Sequence, residues 1–311
     1  MSSMTVKHPG LLSLIQDMGR FGKHNLGLTT GGPLDFEAFA WANRILGNEL
    51  NATSIEISFG GLALESKTHT SVVVTGAETG LKLNGNSIDQ WRSFDVKPGD
   101  IVETGFATSG VRAYLAIAGG FEVNPQFGSS STVVREKIGG LIGDKLQIND
   151  QLVCASSPLS QHFELDISLR PTYSTHATLR VVKGYQHEQF DHMQQWRFFS
   201  SEYKVTERSD RMGFRLEGEV VKSNIVGMLS EGICHGAIQI PADGQPIVLM
   251  NDRQTIGGYP KIGSVIPQDT ARLSQLSPGS TIRFEEISIE QAHNIHHLDK
   301  ARFEHITLNR C

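Results

Sequence analysis

The chain has 311 residues, of which 20% are charged and 39% are hydrophobic, and its formal net charge is −5. The acidic balance argues against a nucleic-acid-binding protein, which normally carries a basic excess on one face. Apolar stretches are too short for a signal peptide or a membrane span, and the three cysteines form no CxxC pair. We therefore expect a soluble cytoplasmic protein with no disulfide framework, no zinc knuckle and no membrane or nucleic-acid partner.

The first predicted helix extends from Asp35 to Leu46. Asp35 is a suitable N-cap, and Gly47 follows as a C-terminal stop. The apolar positions that predict one buried face of this helix are Phe36, Phe39, Ala40 and Leu46.

Short β-type runs that end at Gly, Pro, Asn or Asp recur along the chain. Such runs are typical of strands, and their close spacing favours barrels or sandwiches over alternating βαβ units. The clearest predicted strands are Ser71–Thr75, Ile101–Thr104, Val111–Ala118, Leu179–Lys183, Gly236–Ile240, Ile247–Met250 and Thr281–Glu285. We therefore predict a mainly β protein with a few short helices.

A second helix is predicted at the C-terminal end, over Ser288–Ile306, where a loosely amphipathic pattern occurs. His293 and His297 have the i, i+4 spacing of metal ligands on one helix face. No acidic general base lies between them, and the segment is polar. A solvated helix face is therefore favoured over a metal site, and we predict no bound metal.

Three motifs of the first half recur weakly in the second half. Asp17–Gly22 resembles Asp210–Gly213, Ser54–Glu56 resembles Leu229–Glu231, and Lys97–Asp100 resembles Ser277–Ser280. The pattern predicts two related β subdomains, the first of which carries an extra helix. The alternative is that short turn motifs recur by chance in a turn-rich β protein.

The predicted division of the chain follows from this repeat and from the polar stretch around 156–174. Residues 1–165 form an N-terminal β subdomain that contains the helical insert 35–46. Residues 175–288 form a second β subdomain, and residues 289–311 form a helical tail.

Common catalytic signatures are absent: the chain has no GxxxxGK[ST] loop, no HExxH motif and no GxSxG motif. One candidate site is the run Gly128–Thr132, whose N–H and hydroxyl groups could be exposed to an anion. Arg112 lies on the predicted strand that precedes it. A flexible polar loop without a ligand is the competing interpretation.

The densest group of candidate residues lies between Gly236 and Asp269. The Gly257–Gly258 pair permits a close approach of backbone to a ligand, and Lys261 offers a cation for a carboxylate or a carboxylated intermediate. A hairpin tip with turn-forming glycines explains the same pattern without a ligand. Arg20, and Arg211 beside Asp210, are similarly open to two interpretations: a substrate anchor or an internal ion pair that fixes a turn.

A set of motifs, in order, extends over most of the chain. The first half contains Gly10–Arg20, Gly32–Asp35, Ala42–Asn43, Glu56, Arg112–Ala116 and Gly128–Thr132; the second contains Ser209–Gly213, Gly236–Gln239 and Gln254–Pro260. This ordered set resembles the KipA-like, biotin-dependent carboxyltransferase family. Ser130 and Ile256 depart from the family pattern, where a basic residue and a threonine are usual.

The resemblance implies cyclophilin-like β-barrel subdomains and a composite enzyme. Members of the family act as the C component of ATP-dependent 5-oxoprolinases, which open 5-oxoproline to L-glutamate. The implied partners are a KipI-like B component, an A component and a small amide or lactam substrate, and ATP is implied as a nucleotide bound in the complex. The chain alone is expected to be inactive.

Two other functions follow from the same resemblance. One is transfer of a carboxyl group from carboxybiotin to urea or a related amide; the chain has no Met-Lys-Met tripeptide, so biotin would arrive on a separate carrier protein. The other is a regulatory protein that binds and antagonises a KipI-like kinase inhibitor. No catalytic residue is assigned, and the predicted cleft residues are Arg20, Asp35, Asn43, Glu56, Arg112, Ser129, Asp210, Arg211, Gln239, Gln254, Thr255, Gly257, Gly258, Tyr259 and Lys261.

Overall fold

The computed structural model describes residues 2–225 and 227–311. The predicted mainly β fold is confirmed. The chain divides into two units. The first contains the chain up to Lys23, Thr30–Tyr173 and Thr307–Cys311, and the second contains His24–Thr29 and Ser174–Ile306.

Two larger sheets and one small strand pair form the described part of the first unit. The larger sheets have the strand orders β11-β1-β4-β9-β6-β7 and β2-β3-β10-β5-β8, and β12 pairs with β22. The strands are β1 Ser3–Pro9, β2 Leu12–Gln16, β3 Ser54–Ser58, β4 Leu62–Ser66, β5 Thr70–Glu78, β6 Lys82–Leu83, β7 Asn86–Ser87, β8 Phe94–Val96, β9 Ile101–Glu103, β10 Ser109–Ile117, β11 Gln151–Val153, β12 Phe163–Glu164 and β22 Asn309–Arg310.

Apolar side chains from both larger sheets form one core in the first unit. Met4 and Leu64 come from the first sheet, and Ile57, Val74 and Leu115 come from the second. Each of these side chains is at least 99% buried. Burial of this apolar area supplies the main stabilisation of the unit.

Helix α1 (Phe36–Ile45) lies against β5 and β10. It begins where the sequence predicts, because the Asp35 side chain accepts a hydrogen bond from Ala38 N at 3.0 Å. Gly47 follows the end of the helix with φ of 67°, a left-handed conformation that favours glycine. The first predicted helix is therefore confirmed.

The second unit contains a closed barrel with the strand order β13-β20-β17-β18-β15-β14-β21 and a small pair, β16 with β19. β13 and β21 pair in parallel, from His176 opposite Thr281 to Val181 opposite Glu286. The strands are β13 His176–Lys183, β14 Glu202–Val205, β15 Gly213–Gly218, β16 Glu231–Gly232, β17 Ala237–Gln239, β18 Ile247–Leu249, β19 Ile256–Gly257, β20 Lys261–Val265 and β21 Thr281–Glu286.

All seven predicted strands are present, and their ends are shifted by at most three residues. The predicted C-terminal helix is also confirmed as α4 (Ile289–His305). It begins after Ser288 because Ser288 and Gln291 form a reciprocal capping box. His296 and His297 have ring centroids 5.9 Å apart on this helix. Within the described residues, no group of three or more His, Cys, Asp or Glu side chains is arranged to hold a metal ion.

Two helices of the second unit were not predicted from the sequence. Helix α2 (His192–Ser200) begins after Asp191, which caps Gln194 N at 2.9 Å, and α3 (Pro267–Ser274) has Pro267 in its first turn. Both are short, so their hydrophobic patterns are weak signals. Single 3-10 turns occur at His24–Leu26, Val134–Glu136, Ile167–Leu169 and His187–Gln189. No described helix is both long and apolar enough to cross a bilayer.

Candidate functional site

Arg20 is completely buried in the first unit. Its guanidinium donates hydrogen bonds to backbone carbonyl oxygens and does not face solvent. Its Nε donates to the carbonyl oxygen of Gln126 at 3.0 Å, and its Nη2 donates to the carbonyl oxygens of Ser129 and Ser131 at 3.4 and 2.9 Å. A guanidinium can donate several hydrogen bonds in fixed directions, which suits this role. Of the two interpretations of Arg20, the geometry favours fixation of a loop.

The run Ser129–Thr132 is buried, so the prediction that its donors are exposed to an anion is wrong. The donors face an internal anion, the carboxylate of Asp17. Ser129 Oγ and Ser131 Oγ donate to Asp17 Oδ1 at 2.5 and 2.6 Å, and Ser130 N donates to Asp17 Oδ2 at 2.7 Å. Burial alone would raise the pKa of Asp17, but these hydrogen bonds outweigh it and hold that pKa below its usual range.

We expect Asp17→Asn to lower the free energy of unfolding by about 1.5–3 kcal/mol near neutral pH, because hydrogen bonds to a buried charge are lost. The folded-state pKa of Asp17 is lower than its unfolded value. Its contribution is therefore fully present above the unfolded pKa and is lost as the pH falls through the folded pKa. Urea unfolding of both proteins from about pH 7 to pH 3 measures this difference. A difference that stays constant over that range contradicts the assignment.

Glu56, Tyr114 and Asp35 form a buried network next to α1. Glu56 Oε2 accepts hydrogen bonds from Tyr114 Oη at 2.7 Å and from Leu34 N at 2.8 Å, and Glu56 Oε1 lies 4.0 Å from Arg112 Nε. Tyr114 Oη in turn accepts from Asp35 N at 2.8 Å. The pKa of Tyr114 is raised well above its usual value. Burial is the largest cause, and the charges of Glu56 and Asp35 add to it. Three of the predicted cleft residues, Asp35, Glu56 and Arg112, thus lie in a network at the start of α1.

Asn43 is also fully buried and has a positioning role. Its Nδ2 donates to the carbonyl oxygen of Ala52 at 3.0 Å, and its Oδ1 accepts from Asn48 Nδ2 at 3.0 Å. Asn48 Nδ2 also donates to the carbonyl oxygen of Ile117 at 2.9 Å. These bonds tie the end of α1 to the chain that enters β3 and to the end of β10.

In the second unit, Arg211 and Asp252 form a buried bidentate ion pair. The distances are 2.9 Å from Arg211 Nε to Asp252 Oδ2 and 2.9 Å from Nη2 to Oδ1. Asp210 Oδ1 accepts from Met212 N at 2.8 Å and from Gly213 N at 3.2 Å, which closes a turn. The interpretation of Asp210–Arg211 as a fixed turn is therefore the one that the geometry favours.

Arg253 holds the base of the loop that contains the remaining candidates. This side chain is 94% buried, and it donates from Nε to the carbonyl oxygen of Ile233 at 3.3 Å and from Nη1 to that of Met250 at 3.2 Å. Ile233 N donates to the carbonyl oxygen of Thr255 at 3.1 Å. Gln254 and Thr255 are half-buried, and the tip of the loop at Ile256 and Tyr259 is exposed.

Lys261 lies at the start of β20 and forms the centre of a polar cluster within the second unit. Its Nζ is paired with the carboxylate of Glu231 and lies 5.8 Å from the centroid of the Tyr185 ring. Glu231 also accepts hydrogen bonds from Tyr185 Oη and from Gln186 Nε2, the latter at 2.7 Å. The hydrogen bonds from Lys261 and then from Tyr185 hold the pKa of Glu231 below its usual value. We call these four residues the Lys261 cluster.

Gln239 lies on β17 directly opposite Lys261 in the strand register. The side chain is 99% buried, and its Nε2 has no hydrogen-bond partner among the residues that the structure describes. A Cβ at Gly257 would lie 2.4 Å from Ile233 Cδ1 and 2.7 Å from this Nε2, so a side chain at this position would displace the ends of both side chains. Gln239, Gly257 and Lys261, three of the predicted candidates, are thus brought together at one place in the second unit.

Tyr185, Gln186 and Glu231 belong to this site but were not predicted from the sequence. Gln186 is 93% buried and connects the cluster, because its Oε1 accepts from Lys261 N at 2.8 Å while its Nε2 reaches Glu231. Tyr185 and Gln186 follow the predicted strand Leu179–Lys183, and their position at a strand end was a usable signal. The sequence singles out Glu231 only as part of the internal repeat, in which Leu229–Glu231 resembles Ser54–Glu56.

The family described as "Carboxyltransferase domain, subdomain A and B" matches residues 26–286, and the chain belongs to this family.

Two relatives extend over nearly the same length, and both are named as the C subunit of 5-oxoprolinase. The chain is 36% identical to the Haemophilus influenzae protein over 279 residues, which cover 89% of each chain. It is 36% identical to the Escherichia coli protein over 285 residues, which cover 91% of each chain.

One solved structure, the urea amidolyase of K. lactis, matches with a TM-score of 0.90 at 29% identity. That match covers 97% of this chain and 20% of the larger protein.

Proposed function

We propose that this chain is the C component of a cytoplasmic, ATP-dependent 5-oxoprolinase that hydrolyses 5-oxoproline to L-glutamate together with an A component and a KipI-like B component. The two bacterial relatives support this proposal, because the match extends over about nine-tenths of each protein. The chain is expected to be inactive alone.

The observation that carries the proposal is the Lys261 cluster with Gln239. The substrate, 5-oxoproline, has a carboxylate and a lactam carbonyl. A lysine ammonium, a tyrosine hydroxyl and glutamine amides are the donors that such oxygens accept. Gly257 and Gly258 lack a side chain, which permits a close approach of backbone to a ligand at this loop.

In the proposed mechanism, ATP supplies the phosphoryl group that makes the lactam carbon a better electrophile. Attack of water, cleavage of the ring C–N bond and hydrolytic release of phosphate then give glutamate. In this chain, Lys261 binds the substrate carboxylate, and backbone N–H groups of the 254–258 loop stabilise the developing oxyanion. The nucleotide is proposed to be bound in the complex, because the sequence has no phosphate-binding loop of the GxxxxGK[ST] type.

The test is ATP-dependent glutamate formation from 5-oxoproline by the A and B components, with and without this chain. We expect activity only when all three proteins are present. Activity of the other two components alone, equal to that of the full mixture, would show that this chain is dispensable and would contradict the proposal.

Carboxyl transfer from carboxybiotin is the second candidate function, and the match to K. lactis urea amidolyase favours it. Biotin would be delivered by a separate carrier. The discriminating measurement is carboxylation of urea by this chain, its KipI-like partner, a biotinylated carrier and a biotin carboxylase that loads the carrier from bicarbonate and ATP. Transfer of labelled bicarbonate to urea, without glutamate formation from 5-oxoproline, would favour this second function.

A further inference from the structure

In the second unit, three donors from two segments converge on one carboxylate. Lys261 Nζ comes from β20, and Tyr185 Oη and Gln186 Nε2 come from the chain that follows β13. Their common acceptor is Glu231. An ammonium, a hydroxyl and an amide N–H around one carboxylate have the composition of a carboxylate-binding site, which here is filled by a side chain of the same protein.

Glu231 lies on a short segment that covers the glycine loop. Its strand β16 pairs with β19, with Glu231 opposite Gly257. A Cβ at Gly258 would lie 3.4 Å from Ser230 Oγ and 3.5 Å from the carbonyl oxygen of Met228. We call residues 228–232 the Glu231 strap. Displacement of the strap would expose the loop glycines that it covers.

A second and independent observation at the same place is the buried amide of Gln239. Its Nε2 is a hydrogen-bond donor without a partner in the described parts of the chain, and it lies close to Gly257. An unsatisfied buried donor is costly unless a ligand or a water satisfies it. Since Gln239 and Lys261 are directly opposite in the strand register, a ligand carboxylate on Lys261 would place a second oxygen within the reach of Gln239.

A difference in exposure from Asp17 makes Glu231 the exchangeable carboxylate. Asp17 is 95% buried among donors that are themselves buried. The side chain of Glu231 is 33% exposed and Tyr185 is 73% exposed, whereas Lys261 and Gln186 are 8% and 7% exposed. Solvent therefore reaches the Glu231 side of the cluster, and the ammonium lies beneath it. Because Glu231 is the more exposed partner of the ion pair, a carboxylate from solvent can take its place on Lys261.

We infer that the Glu231 strap closes a binding site for a small carboxylate that carries a second acceptor oxygen. The ligand carboxylate replaces that of Glu231 on Lys261, Tyr185 and Gln186, and the second oxygen accepts from Gln239. No covalent bond changes in this exchange. The inference deepens the proposed function at the same site and rests on it only for the choice of 5-oxoproline as a probe.

The test is direct binding to the full chain, without the other two components. The probes are 5-oxoproline and acetate, and the neutral control is 2-pyrrolidinone, which is the same lactam without the carboxylate. We expect Glu231→Ala to bind both carboxylates at least about tenfold more tightly than the unchanged chain, with no gain for 2-pyrrolidinone. Adding Lys261→Met to Glu231→Ala should abolish that gain.

The matched control is Glu286→Ala, which removes the carboxylate of another lysine pair in the same unit, that of Lys183 and Glu286 at 2.8 Å. This variant should bind the probes as the unchanged chain does. Glu231→Gln retains the size of the side chain and guards against misfolding of the alanine variant; it should also tighten carboxylate binding. Equal affinity of both Glu231 variants and the unchanged chain overturns the inference.

The inference and the proposed function are tested by different measurements, carboxylate affinity for the first and glutamate formation for the second. Tighter acetate and 5-oxoproline binding by Glu231→Ala supports the carboxylate site even if the three-protein mixture makes no glutamate. Glutamate formation with unchanged affinity in the variants overturns the strap while the proposed function stands.

Discussion

We expect Arg20→Ala to lower the free energy of unfolding by about 3–5 kcal/mol, because a large buried side chain and the hydrogen bonds that it donates are lost. Three carbonyl oxygens, those of Gln126, Ser129 and Ser131, each lose a donor. The truncation also leaves a cavity where the guanidinium lay, since Arg20 is fully buried. The loop around the Asp17 carboxylate then loses the hydrogen bonds that Arg20 donates to Ser129 and Ser131.

Urea unfolding followed by tryptophan fluorescence measures this loss. Trp41 and Trp91 are buried in the first unit, whereas Trp196 of the second unit is exposed, so the signal reports mainly the unit that contains Arg20. The matched control is Arg135→Ala, at a half-exposed arginine of the same unit that pairs with its neighbour Glu136 at 3.1 Å. That control should change stability by less than about 0.5 kcal/mol. An equally small change for Arg20→Ala would contradict the anchoring role.

Helix ends were predictable because their signals are local. Asp35 before α1 and Ser288 before α4 are capping residues whose partners lie three residues further along the chain. Strands were also predictable, since turn residues mark their ends. Helix α3 was missed because its N-cap position is Ile266, which has no side-chain oxygen to provide the usual signal.

The candidate site was only partly predictable because polar residues with the same composition have different environments. Asp17, with its serines, is a buried internal contact, whereas the carboxylate paired with Lys261 belongs to Glu231, whose side chain is 33% exposed. Sequence spacing contains no information on which of these groups is buried. Glu231 and Gln186 are 45 residues apart, and only the folded barrel brings them together.

Arg20 and Lys261, both predicted as cleft residues, are thus expected to fail in different ways when they are replaced. Loss of Arg20 should reduce turnover of the assembled complex through loss of folded protein. Loss of Lys261 should reduce turnover while the fold persists, because Glu231, the carboxylate left without its partner, is 33% exposed and can be hydrated. Measuring stability and kinetics on both variants separates these causes.

Under the proposed function, we expect Lys261→Met to lower kcat/KM for 5-oxoproline by about 10- to 150-fold, because a charge-assisted contact of the substrate carboxylate is lost, which is worth about 1.5–3 kcal/mol. The loss should fall mainly on KM, since the carboxylate is bound equally in the ground state and the transition state. Steady-state kinetics of the three-protein mixture measure it. Lys183→Met is the matched control, because Lys183 forms a more exposed pair with Glu286 in the same unit, and its kinetics should be unchanged.

If the Glu231 strap acts as inferred, replacing the two partners of the ion pair changes KM in opposite directions. A merely structural role would not produce this result. If Glu231 competes with the substrate for Lys261, then Glu231→Ala should lower KM while Lys261→Met raises it. If the pair only stabilised the fold, removal of either partner would have the same effect. Opposite changes in KM from the two partners of one ion pair would therefore support substrate binding at Lys261, and parallel losses in both variants would contradict it.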